Sequence, residues 1–294
     1  MTIKRLVLIV STFVLSLPLF GQSVDQRSER FTMTHRGHVR EYYLYRPSGL
    51  KEGAPLVMAI HGYGGGVKDM PGDLLDAADR FGYAICLPQG LADPTGHTGW
   101  NVGYCFQEGY KLDDVDFVCD LTKKLQKEYG FDKEATFLTG MSNGGEMCYL
   151  IAMRRPKTFK AIASIAGLTM SWMLDAFEKT GPVPFMEVHG TQDHVSEWYG
   201  DPDNQGGWGA YTAVPLAVSR VVIANGCREE HVEELPQRQG RNKVTLYKYT
   251  NGNLTKDGKP MEVWLYEISG GDHAWGEEDM DTYAETWKFF QKWM

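Results

Sequence analysis

The sequence predicts an α/β fold, with a mostly parallel central sheet covered by helices on both faces. Three observations carry this. Short apolar runs alternate with amphipathic stretches along most of the chain, the pattern of repeated strand–helix units. The 294 residues, 43% hydrophobic and 23% charged, have an ordinary globular composition. No internal repeat, low-complexity tract or long linker divides them, so residues 22–294 read as a single domain.

Taken in order, residues 39–46 (VREYYLYR), 55–61 (PLVMAIH) and 83–88 (YAICLP) read as strands. Residues 115–129 form an amphipathic helix stopped by Gly130. A short apolar strand spans 136–139, and a helix follows over 144–154 after a sharp Gly-rich turn. The rhythm continues with a strand at 160–166, a helix near 171–179, a strand at 183–189 and a helix at 214–225. Strands at 243–250 and 261–268 and a helix over 281–293 complete the chain. Tyr283, Trp287 and Phe290 share one face of that last helix, a spacing that suits packing on the sheet. The stretch 196–213 (SEWYGDPDNQGGWGAYTA) breaks the rhythm and reads as a long surface excursion.

The amino terminus points to a compartment. Lys4 and Arg5 precede an apolar run from Leu6 to Leu19, and Gly21 offers a small residue for cleavage. Residues 1–21 therefore read as a secretory signal peptide, too short an apolar run for a stable membrane anchor. The expected location is secreted or periplasmic. A net charge of −8 argues against a nucleic-acid surface. Five cysteines, Cys86, Cys105, Cys119, Cys148 and Cys227, leave room for one or two disulfides in an oxidising compartment. The alternative is that Cys86, Cys119 and Cys148 are simply small buried hydrophobes. Neither H-E-x-x-H nor C-x-x-C occurs, and no metal or organic cofactor is expected. Asn253-Leu254-Thr255 matches a glycosylation sequon.

The chemistry centres on Gly140-Met141-Ser142-Asn143-Gly144, a G-x-S-x-G match between an apolar strand and a helix. A nucleophile at a sharp strand-to-helix turn needs that context, because side chains at the flanking glycines would crowd the turn. The helix N-terminus beyond Ser142 would face a developing oxyanion. Its base should come late in the chain, after the last strand, where His273 lies in Gly270–Gly276. His97 and His194 are the fallback candidates. The acid should lie between Ser142 and His273. Asp193 follows strand 183–189 and is chosen over Asp201 and Asp203, which fall inside the excursion. His189 is expected to shape the Asp193 loop without moving protons. His61 is followed by Gly62-Tyr63-Gly64-Gly65-Gly66, so the backbone N–H groups of Tyr63 and Asn143 are the expected oxyanion donors.

With these residues in place the sequence resembles the esterase family that joins feruloyl and acetyl-xylan esterases (carbohydrate esterase family 1) with secreted polyhydroxybutyrate depolymerases. The resemblance runs from about Tyr42 to Trp293. It rests on Leu56–Gly66, Trp100-Asn101, Asp113–Phe117, Gly140–Gly145 (GMSNGG), Phe159–Gly167, His189–Asp193 and Gly271–Trp275. It implies an α/β-hydrolase fold and assigns the triad to Ser142, Asp193 and His273. Asp113 and Asp114 match the family's Asp-Asp pair and read as caps for the helix near Val115. The chain departs from the family at Gly271-Asp272-His273-Ala274, where Gly-Gly-His-Thr is usual, and in the aromatic excursion after Asp193.

The expected substrate is a feruloylated or acetylated plant polysaccharide or oligosaccharide. Acetyl-xylan esterase and polyester depolymerase activities are the enzymatic alternatives, and a non-catalytic binding protein is the alternative of a different class. A flat feruloyl ring needs an apolar slot. Trp100 and Tyr104 in one loop, Trp198, Tyr199, Trp208 and Tyr211 in the excursion, and Trp275 beside His273 could supply it. Of these, Trp100, Tyr104, Trp198, Trp208 and Trp275 are the expected substrate contacts.

Overall fold

The computed structural model describes residues 23–174 and 182–294. The expected signal peptide lies outside the described residues, as does most of the helix expected near 171–179, of which only a short 3₁₀ turn at Ser171–Met173 is described.

Fourteen strands are described. In chain order they are β1 (Glu29–His35), β2 (His38–Tyr45), β3 (Leu56–Ile60), β4 (Ala84–Pro88), β5 (Leu91–Ala92), β6 (Thr98–Gly99) and β7 (Thr136–Met141). Then follow β8 (Ala161–Ile165), β9 (Thr169–Met170), β10 (Phe185–Gly190), β11 (Tyr211–Thr212), β12 (Glu229–Glu234), β13 (Lys243–Thr250) and β14 (Val263–Ser269). Ten of them form one sheet in the order β1-β2-β4-β3-β7-β8-β10-β14-β13-β12. The six from β4 to β14 run parallel, and antiparallel strands extend the sheet at both edges.

Strands β3, β4 and β8 are buried at every residue, because helices cover both faces. The described helices are α1 (Val24–Arg27), α2 (Asp73–Phe81), α3 (Asp114–Tyr129), α4 (Asn143–Arg154), α5 (Val214–Asn225) and α6 (Thr282–Gln291). Their apolar sides feed two cores, one on each face. On one face Trp287 of α6 stacks on Tyr83 at 4.7 Å between centroids, and Phe290 stacks on Phe137 at 4.6 Å. The packing expected of the last helix is therefore the packing observed.

Two features bear on the site from a distance. Asp113 caps α3, its side chain accepting from the Asp116 N–H. Asp114 is no cap. It pairs with Arg40 at 2.7 Å, both side chains having no exposed surface. The Arg40 guanidinium also lies 3.7 Å from the centre of the Phe117 ring. Asp114 Oδ2 accepts from the Asn101 N–H at 2.8 Å, which pins the loop leading away from Trp100. Burial, opposed by Arg40, leaves the Asp114 carboxyl above its usual range.

The expectation of one or two disulfides is corrected. All five cysteines are free, and Cys86, Cys119 and Cys148 are buried in the core. Burial raises their thiols above the ordinary range. Among the described residues no helix is long and apolar enough to cross a membrane.

Candidate active site

Parallel strands present their carboxyl ends on one side of the sheet, and loops there build sites. Ser142 follows β7, Asp193 follows β10 and His273 follows β14.

Ser142 sits at φ 58° and ψ −124°, the positive-φ geometry of a sharp turn, with its N–H donating to the Ile165 carbonyl at 2.8 Å. The turn closes only because its neighbours lack side chains. A Cβ on Gly140 would lie 2.5 Å from the Gly144 carbonyl oxygen, and one on Gly144 would lie 2.2 Å from that of Ile60. Helix α4 then starts at Asn143, directing its free N–H groups toward the turn.

Asp193 and His273 are brought together. His273 Nδ1 lies 2.7 Å from Asp193 Oδ2, while Asp193 Oδ1 accepts from the N–H groups of Val195 and Ser196, each at 2.8 Å. An ionised carboxylate accepting from Nδ1 fixes the neutral tautomer with its lone pair on Nε2. Among the described residues Ser142 Oγ makes no hydrogen bond, so the third link of the expected relay is not formed. Such contacts commonly tighten only when substrate is bound.

The fallback residues have other partners. His194 is exposed and pairs with Asp272 at 2.6 Å. His97 lies 3.0 Å from Thr95 Oγ1 and against the Tyr63 ring. Asp201 caps its own turn by accepting from Gln205 and Gly206, and Asp203 is exposed. Asp272, the departure beside His273, also accepts from the His273 N–H at 2.7 Å through the oxygen that meets His194.

The two expected oxyanion donors, the N–H groups of Tyr63 and Asn143, make no hydrogen bond among the described residues. The segment Thr98–Trp100 stitches them together. Thr98 accepts from the Gly64 N–H at 2.7 Å, and the Trp100 N–H donates to Asn143 Oδ1 at 2.7 Å. Between them a Cβ on Gly99 would lie 2.8 Å from the Tyr63 ring and 3.0 Å from Asn143 Oδ1. His61 anchors the same loop from below. Its Nδ1–H donates to the Gly62 carbonyl at 2.7 Å and its Nε2 accepts from the Gly90 N–H at 2.9 Å. Burial holds this imidazole neutral, pushing it down to about 4.

The expected substrate contacts require correction. Trp100 is 0% exposed: its ring packs on His61 and its Nε1–H donates to the His61 carbonyl at 2.9 Å. Tyr104 is buried, its hydroxyl donating to Glu146 and accepting from Asn143 Nδ2 at 3.2 Å. Trp198 is buried against His189. Trp275 is half-buried, packing against one core beside Tyr283. Trp100, Tyr104 and Trp198 are thus turned inward. Trp208 is also half-buried and stands beside the Gly62–Gly66 loop, edge-on to Tyr63 at 5.5 Å and close to Phe106 at 5.9 Å. Phe106 and the Tyr63 side chain were not anticipated. Their sequence signal was proximity to the Gly-rich loop and to Trp100. Beyond Tyr63 lies a cleft of about 630 Å³ lined in part by Tyr43, Gly64–Gly66, Asp69 and Gln89.

A family model described as esterase PHB depolymerase matches residues 40–180, which include Ser142 and the Gly62–Gly66 loop. The chain is 25% identical over 258 residues to the "Probable feruloyl esterase C" of Aspergillus flavus, covering 87% of this chain and 85% of that protein. It is 28% identical over 162 residues to a bifunctional acetylxylan esterase/xylanase of Neocallimastix patriciarum, covering 54% of this chain but 22% of that protein. Among solved structures, an acetyl xylan esterase from Aspergillus awamori superposes with a TM-score of 0.58 at 14% identity, over 87% of this chain and 99% of that one.

The chain is an esterase of the α/β-hydrolase fold. It is similar to the group joining feruloyl and acetyl-xylan esterases with polyhydroxybutyrate depolymerases. The esterase's turn at Ser142, its neutral His61 and its Asp193–His273 pair all lie at the carboxyl ends of the parallel strands. A groove of about 520 Å³, lined by Lys133, Lys157 and Lys256 among others, lies at the opposite end of those strands and contains none of these residues.

Proposed function

We propose that the esterase is secreted and cleaves ester-linked groups from plant polysaccharide, with an aromatic, feruloyl-type acyl group preferred. The names borne by the relatives support the polysaccharide-ester class. The basic and apolar start of the sequence supports secretion. One observation carries the acyl preference: the half-buried ring cluster of Tyr63, Phe106 and Trp208 borders the loop that supplies an oxyanion donor. An aromatic acyl group held against those rings would bring its carbonyl toward the Tyr63 N–H.

In this mechanism His273 Nε2 takes the Ser142 hydroxyl proton as Oγ attacks the ester carbonyl. The carbonyl oxygen becomes an oxyanion held by the N–H groups of Tyr63 and Asn143. Asp193 stabilises the resulting imidazolium without taking its proton. The imidazolium returns the proton to the leaving alkoxide, releasing the sugar hydroxyl and leaving an acyl-Ser142 ester. Water, deprotonated by His273, then releases the carboxylic acid and restores Ser142.

Acetyl-xylan esterase activity is the second reading. It is favoured by the inward packing of Trp100, Tyr104 and Trp198, which leaves fewer rings at the surface than a large aromatic slot would use. Measuring kcat/KM for methyl ferulate against an acetylated xylo-oligosaccharide separates the two. A preference for ferulate supports the aromatic reading, and a preference for acetyl overturns it.

A further inference from the structure

We propose that Glu187 and His189 form a buried pair that positions Asp193 and places a positive charge at its back. This rests on the reading of Asp193 and His273 as the acid and base. Strand β10 puts Glu187 and His189 two residues apart, hence on one face, and neither side chain has exposed surface. His189 Nδ1 lies 2.8 Å from Glu187 Oε1, and Nε2 lies 2.7 Å from the Ser196 carbonyl oxygen. Nε2 is also 3.5 Å from Asp193 Oδ2.

Both ring nitrogens thus face oxygen acceptors. A neutral imidazole carries one N–H and would set a lone pair against one of them, so the geometry calls for an imidazolium with Glu187 as counter-charge. Burial opposes both charges and leaves the Glu187 carboxyl above its usual range, but the hydrogen bond and charge of Glu187, with Asp193 adding to them, raise the His189 affinity for its proton, and the geometry of two facing acceptors favours the ionised pair. From the neighbouring elements, Ser164 and Tyr149 turn their hydroxyls toward Glu187, and the Cys148 thiol lies within range of its charge. Tyr211 is the further titratable group whose charge couples to Asp193. Trp198 closes the far side edge-on to the His189 ring.

Ser196 ties the pair to the acid. Its carbonyl accepts from His189 while its N–H donates to Asp193 Oδ1 at 2.8 Å. Neither Glu187 nor His189 can reach substrate, so both are positioning residues. The positive charge behind Asp193 opposes protonation of His273, keeping the base free at lower pH.

Glu187→Gln tests this with little change in shape. The Gln amide can donate to Nδ1 while Nε2–H still bonds Ser196, so both charges vanish and both hydrogen bonds remain. The acid limb of the kcat/KM profile should then move up by about half a pH unit or more. His189→Gln should move it the same way. A merely structural pair would lower stability and leave the limb in place. An unmoved or downward-moving limb in folded Glu187→Gln protein overturns the proposal. Imidazole ¹⁵N NMR of the wild-type protein gives an answer that needs no variant. His189 should remain doubly protonated above the pH at which an ordinary imidazole loses its proton, and a neutral His189 signal there would overturn the proposal. Asp193→Asn measured alongside keeps the two readings apart. If it retains wild-type turnover, the acid–base assignment fails and this proposal with it. If it is inactive while Glu187→Gln keeps the wild-type profile, only this proposal fails.

Discussion

His273 Nδ1 lies 2.7 Å from Asp193 Oδ2, although the two residues are 80 positions apart in sequence. The carboxylate that meets the imidazole is itself held by the N–H groups of Val195 and Ser196. This places a fixed anion behind a histidine whose other nitrogen is left to accept a proton. Asp193→Asn should therefore cut kcat roughly ten-thousandfold, as loss of the orienting acid does in other triads, with little change in thermal stability. Turnover within tenfold of wild type would remove Asp193 from the mechanism.

The turn at Ser142 makes a separate prediction about stability. A methyl at Gly144 would lie 2.2 Å from the Ile60 carbonyl oxygen, a backbone atom that a side-chain rotation cannot move. Gly144→Ala should destabilise the protein by at least about 2 kcal/mol, read as a lower urea midpoint. An unchanged midpoint would mean that the crossing of α4 and β3 is looser than described.

The strand–helix rhythm, the turn at Ser142 and the order of Ser142, Asp193 and His273 were legible because each leaves a local mark: an apolar run, paired glycines, a loop after a strand. What the side chains near the site do was not. Trp100, Tyr104, Trp198 and Trp275 stand in site loops, yet which way a loop side chain turns depends on partners far along the chain. Trp100 turns in because Arg40 and His61, from β2 and the end of β3, form its pocket. The edge strands β1 and β12 and the helix α2 were also missed. Strand β12 is exposed throughout and polar (EEHVEE), so no apolar signal marks it. The Glu187–His189 pair did leave a signal that went unread. A glutamate and a histidine two apart in a strand otherwise fit for burial need each other.

His61 gives the fold a pH dependence. Its folded-state value is about 4 against an ordinary 6.5, so the unfolded chain binds its proton first as pH falls. Stability from this group is full above about pH 6.5 and is lost between there and pH 4, in total about 3 kcal/mol. Urea unfolding across that range should show the loss, and His61→Asn should flatten it. A wild-type midpoint that stays level from pH 7 to roughly pH 4 would contradict a neutral buried His61.

Trp208 tests the proposed acyl preference. Trp208→Ala should lower kcat/KM for methyl ferulate roughly tenfold while changing that for a small acetyl ester far less. Equal losses on both substrates would point to disruption of the Tyr63 loop, and no loss on either would place the acyl group elsewhere.

Ser142 as the nucleophile is the claim on which the rest depends, and the site of covalent attachment by a fluorophosphonate probe tests it most directly. Peptide mass spectrometry of the inactivated esterase should find the phosphonyl group on Ser142, in proportion to the activity lost. Inactivation with the adduct on another residue, or full occupancy of Ser142 with turnover intact, would contradict the account.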